Sequence, residues 1–201
     1  MSGTKSRILK GSLLLFNEEG EEGQSAVDIA NALDISPGNL YYHFKGKDAV
    51  IRALYDGFDE EVRHILAGAS AGFTSAEDHW VFAHIILEEF WDFRFFFQNL
   101  GAITQRYSDL ATRFARLRDD LRDTAADLMA RQVEAGVLNA PPLQRDALAK
   151  QIVDAATFWI QAAVLDGDTL EDPDELIGGA VYHLAALIAP YLPPGALAEA
   201  A

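Results

Sequence analysis

At 201 residues, half of them hydrophobic, the chain can form one large domain or a small domain joined to a medium one, and its core needs neither metal nor disulfide. The absence of cysteine excludes disulfide frameworks, zinc fingers and thiol nucleophiles, and fits a reducing compartment. The net charge of −15 opposes non-specific attraction to polyanions, but it is uneven: residues 1–50 carry −2 and the remaining 151 carry −13.

Within the first 50 residues, four of the seven acids sit in the run EEGEE at 18–22, which leaves Lys5, Lys10, Lys45 and Lys47 to form a local basic face. Local charge decides contacts because screening acts over about 10 Å at 0.1 M salt. The opening MSGTKSRILKG lacks the apolar run of a signal peptide. No apolar stretch reaches the roughly 18 residues that a membrane span needs. AVYHLAALIAPYL is short and interrupted by His183 and Pro190. A soluble, cytoplasmic protein is expected.

Helix signals recur along the chain and strand alternation is missing. Residues 4–19 place Ile8, Leu9, Leu13, Leu15 and Phe16 on one stripe, stopped by Gly20. Ser25 and Asp28 form a capping box for a short helix closed by Leu33. Asp34 and Ile35 make a turn, and Ser36-Pro37 opens the next helix. A long amphipathic helix over 47–69 carries Val50, Leu54, Phe58, Val62, Ile65 and Leu66, with Gly68 and Gly72 at its end. Ser75 and Asp78 make another capping box, opening an apolar helix that runs to about Ile103. Residues 108–135 are sharply periodic through Leu110, Phe114, Leu117, Leu121, Leu128 and Val133, and Gly136 ends them. After the NAPP loop at 139–142, helices follow over 144–166 and 173–191, the second opened by Asp172, Pro173 and Glu175. The reading is all-α with about nine helices and a frayed tail.

Residues 25–50, SAVDIANALDISPGNLYYHFKGKDAV, have the pattern of a helix-turn-helix. Ala30 is the small residue where two helices cross, and Ile29, Leu33, Ile35 and Leu40 knit them together. In the second helix Leu40 points inward, leaving Asn39, Tyr41, Tyr42 and His43 outside beside two lysines. Exposed aromatics in such a cluster ask for a partner. The plainer reading is a structural hairpin whose tyrosines pack on other helices, within a ligand-binding or protein-interaction module.

LFNEEG, DIANAL and ISPGNLYYHFKGKDAV together resemble the DNA-binding region of the TetR (tetracycline-repressor-like) family, over residues 4–58. The resemblance implies a three-helix DNA-binding domain over 1–46. A larger effector-binding and dimerisation domain would follow over 47–201, with helix 47–69 linking the two. It implies that Asn39 and Tyr41 lie at the groove edge and that Tyr42, His43 and Lys47 hold phosphates, with further phosphate contacts near Ser25 and Ser36. It also implies a dimer on a pseudo-palindromic operator, repression, and release by a small effector, with no cofactor. The sequence departs from the pattern at Ala26 and Val27, where polar or basic residues are common, and at Asp34, where glycine is frequent. Gly38 removes one base-reading side chain, so DNA shape would carry part of the specificity.

The larger part must be read physically. FWDFRFFF at 90–97 holds six aromatics in eight positions, pointing nearly all round a helix. They form either a solid aromatic core or the wall of a cavity, and the resemblance favours a cavity for an apolar or amphipathic ligand. Its candidate lining is Trp80, His84, Phe90, Trp91, Arg94, Phe97, Tyr107 and Phe114. Arg94 could meet a ligand carboxylate, but pairing with Asp92 or Glu89, or reaching for water, is the stronger expectation. His79 and His84 do not share a helical face, so no metal site is expected. No phosphate loop, G-x-S-x-G or H-E-x-x-H occurs, and no enzyme is read. Ile152, Ala156, Trp159 and Ala163 with Val181, Leu184 and Ile188 are candidates for the dimer interface, or else for their own domain's core.

Overall fold

The computed structural model describes residues 3–72, 76–167 and 172–193. Among them lie ten α-helices, a closing 3-10 turn at Ala189–Tyr191 and no strand. The first four are α1 (Thr4–Glu19), α2 (Ala26–Ala32), α3 (Pro37–His43) and α4 (Lys47–Gly72). Then come α5 (Ala76–Asp92), α6 (Arg94–Gln98), α7 (Leu100–Arg106), α8 (Ser108–Glu134), α9 (Pro142–Asp166) and α10 (Pro173–Ile188).

Local chemistry sets the small helices. Ser25 and Asp28 form both halves of the capping box at α2. At its other end Asp34 adopts φ 51°, while the Asp34 and Ile35 N–H groups donate to the Asn31 and Ala30 carbonyls at 3.1 and 3.0 Å. That bond pair is a Schellman motif, with aspartate taking the left-handed position that glycine usually fills. α1 and α2 meet at Gly11, where an added Cβ would lie 2.0 Å from a Leu33 methyl.

α4 and α8 are joined by a ladder of ion pairs. Arg52 pairs with Asp109, Asp56 with Arg113, and Arg63 with Asp120, each pair separated by the same 57 positions. A constant separation means that the two helices run parallel and in register. α9 packs along α8, α5 packs on α4, and α10 packs on both α5 and α9. The main core is aromatic: Phe58 stacks on Phe93 at 4.7 Å, and Phe90 on Phe97 at 4.4 Å. A smaller cluster of Met129, Leu138, Ala140, Leu148 and Ala149 fills the far end.

The helix expected to continue to Ile103 is three helices, broken at Phe93 and at Asn99. The first break is held from outside. Asn17 of α1 donates its amide to the Asp92 carbonyl at 2.8 Å and accepts the Phe95 N–H at 3.0 Å. Those backbone groups have no helical partner, so the break persists because α1 satisfies them. The long helix 47–69 extends to Gly72, and α9 starts at Pro142 rather than 144. The Ser75–Asp78 capping box and the tail beyond 193 lie outside the described residues. Asp172 caps α10 as read, accepting the Glu175 N–H at 3.1 Å.

Candidate nucleic-acid interface and ligand cavity

α3 is seven residues long and buries a single one, Leu40. Its ends are fixed. Ser36 Oγ accepts the Asn39 N–H at 3.1 Å, and buried Phe44 caps the other end through its N–H to the Leu40 carbonyl at 2.8 Å. Everything else on α3 faces away. Asn39 is exposed, Tyr41 is 46% exposed and Tyr42 is 81% exposed. His43 is half-buried and meets the Tyr42 ring edge-on at 5.0 Å. Lys45 reaches back to the Tyr41 carbonyl at 3.2 Å, and the Lys5 ammonium of α1 lies 5.6 Å from the Phe44 ring. Two tyrosines and an asparagine thus stand exposed on α3, with Lys45 and Lys5 near its end.

Two of the candidate phosphate contacts are otherwise engaged. The Ser25 hydroxyl and N–H both donate to the Asp28 carboxylate, at 2.5 and 2.8 Å. These bonds hold the Asp28 carboxyl below its usual range, so a negative charge already occupies this N-terminus. Lys47 donates to the Glu21 carbonyl at 2.7 Å and to its carboxylate at 3.2 Å. The Lys47 side chain is 17% exposed and that of Glu21 is fully buried. Arg106 of α7 completes the cluster, with Nη1 at 3.1 Å from both Glu21 oxygens. Beside it the Tyr107 hydroxyl donates to Asp48 at 2.9 Å, and burial pushes that phenol up to about 12. Lys47 and Tyr107, read as a phosphate contact and a ligand wall, here tie α4 to the α1–α2 loop and to α7.

Residues 8–54 match the family described as "Bacterial regulatory proteins, tetR family", and residues 57–200 match TetR, "Bacterial transcriptional repressor". The chain belongs to the TetR family. A TetR-family transcriptional regulator from Marinobacter aquaeolei VT8 superposes with a TM-score of 0.86 at 26% identity, over 96% of this chain and 92% of its own. The HTH-type transcriptional regulator UidR of Escherichia coli (strain K12) is 41% identical over 51 residues, 25% of this chain and 26% of its own. The biofilm operon icaADBC HTH-type negative transcriptional regulator IcaR of Staphylococcus aureus (strain Newman) is 37% identical over 46 residues, 23% of this chain and 25% of its own. The chain spans between a quarter and about a third of the length of the curated relatives that it matches.

In this TetR-family chain an apolar cavity of about 170 Å³ opens among α5, α8, α9 and α10. Of the eight ligand-wall candidates, Trp80 and Phe90 line it. Phe97 and Phe114 pack on each other at 5.8 Å, inside the solid aromatic core. Trp91 stacks on Trp159 at 5.9 Å and carries the Arg94 guanidinium 4.9 Å from its ring. Arg94 also donates to the Trp91 carbonyl at 3.3 Å, and burial lowers its pKa. His84 sits 3.4 Å from Glu88, part-exposed on the outer face.

The dimer candidates also divide. Ile152, Ala156, Leu184 and Ile188 line the inner cavity, and Val181 packs half-buried against the core. Trp159 and Ala163 line an outer groove between α9 and α10, which Ala156 and Leu184 also touch. The large apolar side chains exposed on these helices are Leu143 (82%), Phe158 (44%), Val164 (47%), Leu165 (86%) and Tyr182 (72%). Phe158, Ala162 and Leu165 repeat at helical spacing one position away from the stripe that was chosen.

Proposed function

We propose that the protein is a DNA-binding transcriptional repressor that acts in the cytoplasm, binds a pseudo-palindromic operator as a dimer and is released by a small apolar effector. The observation that carries the DNA reading is the outward face of α3, where Asn39, Tyr41 and Tyr42 stand exposed on a helix pinned by Leu40 and Phe44. Asn39 and Tyr41 reach base edges, while Tyr42, His43 and Lys45 hold phosphates. Functionally the chain divides near residue 46, with α4 as the link. IcaR, named as a negative transcriptional regulator, is similar over 46 residues.

Dimerisation uses the exposed face of α9 and α10. Phe158, Leu165 and Tyr182 would be covered by the same face of a second copy, giving a four-helix bundle around a two-fold axis. Two reading heads then meet half-sites spaced by about 34–36 Å or a multiple of it.

Signal passes from cavity to α3 by two routes. Phe90 lines the cavity and lies 5.8 Å from Phe58, so a ligand pressing on it moves α4. Phe90 also sits two residues before Asp92, whose carbonyl Asn17 holds, so the same push reaches α1 directly. A ligand that binds the DNA-incompetent arrangement about 100-fold better weakens operator binding by the same factor, about 2.7 kcal/mol.

The test is a genome-wide selection of bound DNA fragments at about 150 mM salt, since affinity falls steeply with salt. An inverted repeat is expected. Binding without any shared sequence, or no binding, would refute the reading.

A further inference from the structure

The cavity in the larger part of the chain also carries information about what it accepts, and the inference rests on its being the effector site. It lies at the seam of two cores: Phe90 and Leu121 belong to the aromatic core, and Met129 to the smaller cluster at the far end. The space exists because three helices place alanine there, Ala83 on α5, Ala125 on α8 and Ala156 on α9, where a larger side chain would close the gap. Among the described residues no charged side chain lines it. The polar side chains on its wall are the Trp80 indole and the Gln132 amide, and Gln132 already has a partner. Arg94, the nearest charge expected to serve a ligand, is turned to Trp91.

We infer that the cavity takes a compact, uncharged hydrocarbon or hydrocarbon-like molecule and rejects anions and cations of the same shape. The volume of about 170 Å³ fits one ring or a short branched chain. Apolar cavities of roughly 150 Å³ stay dry and take up benzene. A carboxylate or ammonium entering this wall would give up its hydration with no counter-ion or donor to replace it. Binding fuses the two cores, and Phe90 passes the change on.

The test compares toluene with benzoate, the same ring with an ionised carboxylate at neutral pH, on the purified full chain. Toluene at tenfold over its Kd is expected to raise Tm by about 3–6 °C. Benzoate is expected to bind at least about 100-fold more weakly, because its charge is not compensated. Trp80 fluorescence should respond to toluene alone. Ala156→Leu and Ala125→Leu, at two separate points of the wall, should each abolish the toluene shift, and the melt of each variant shows that it is folded. Equal shifts with benzoate, no shift with toluene, or a toluene shift that survives in both folded variants would overturn the inference. Toluene binding that leaves operator affinity unchanged would instead refute release by the effector, leaving the ligand class intact.

Discussion

The exposed end of the molecule around α3 and the seam between α4 and α8 use their basic side chains in opposite ways. Along the seam Arg52, Arg63 and Arg113 each meet an aspartate, and between α8 and α9 Arg118 and Arg122 both meet Asp154. At the reading end Lys5, Arg7, Lys10 and Lys45 meet no carboxylate among the described residues. A chain of net charge −15 can therefore present local positive potential, because most of its acids lie beyond residue 50. The lesson concerns accounting by sign. Total charge says little about binding when one region neutralises its cations internally and another leaves them in water.

The two regions join at Glu21, so breaking that joint should have the largest effect. Glu21→Ala leaves Lys47 with only the backbone carbonyl of residue 21 and Arg106 with only the exposed Glu22 carboxylate. Losing one member of a buried pair costs about 3–5 kcal/mol, and the part-exposure of Arg106 brings the expectation to about 2–3 kcal/mol. For a chain of this size that is a Tm drop of roughly 4–12 °C. An unchanged melting curve would mean that the cluster is ornamental and that the regions are not joined there.

The next largest effect should fall on DNA alone. Tyr42→Ala is expected to weaken operator binding at least about tenfold, roughly 1.4 kcal/mol. Truncating so exposed a side chain should leave stability within about 0.5 kcal/mol. Lys45→Ala should flatten the salt dependence of binding by about 0.9 in the log–log slope, whereas Arg63→Ala on the paired seam should not change it. A salt slope that responds equally to both would erase the distinction between the regions.

Asn17→Ala sharpens the comparison further, because it cuts the second link without touching a charge. Two backbone groups at the α5–α6 break lose their partner, a cost of about 1–3 kcal/mol. Hydrogen exchange at Phe95 should accelerate more than at Leu40. Protection unchanged at Phe95 would show that the break holds without α1.

What the sequence disclosed follows the range of the interactions. The capping at Ser25 and Asp172, the left-handed turn at Asp34 and the core position of Leu40 depend on neighbours within a few residues, and all were legible. The break at Phe93 depends on Asn17, 78 positions from Phe95, and the role of Glu21 depends on Arg106, 85 positions away. Periodicity cannot see such pairs. Nothing within the run EEGEE marks Glu21 as the one that is fully buried. The cavity shares only Trp80 and Phe90 with the expected wall, for a related reason. Aromatic richness marks where the core is solid, while the open space is marked by alanines on helices far apart in sequence.

A last expected effect concerns acid and a half-buried carboxyl on α5. Burial, with Asp92 and Glu61 nearby, pushes the Glu89 carboxyl up from 4.5 to about 7. Between those values the folded chain holds a proton at Glu89 that the unfolded chain has lost, so this group's stabilisation is complete below 4.5 and gone above 7. Glu89→Gln keeps the shape and removes the ionisation. The variant should melt with the parent at about pH 4 and above it at about pH 8, by roughly 1–2 kcal/mol once part-exposure is allowed for. Other carboxylates titrate in both proteins, so the difference between the two curves isolates Glu89. The gap should open as pH rises, opposite in direction to Asp154, whose carboxyl is held low by Lys150, Arg118 and Arg122 and loses stabilisation as pH falls. A constant gap at every pH would assign the effect to packing and leave Glu89 ionised in the fold.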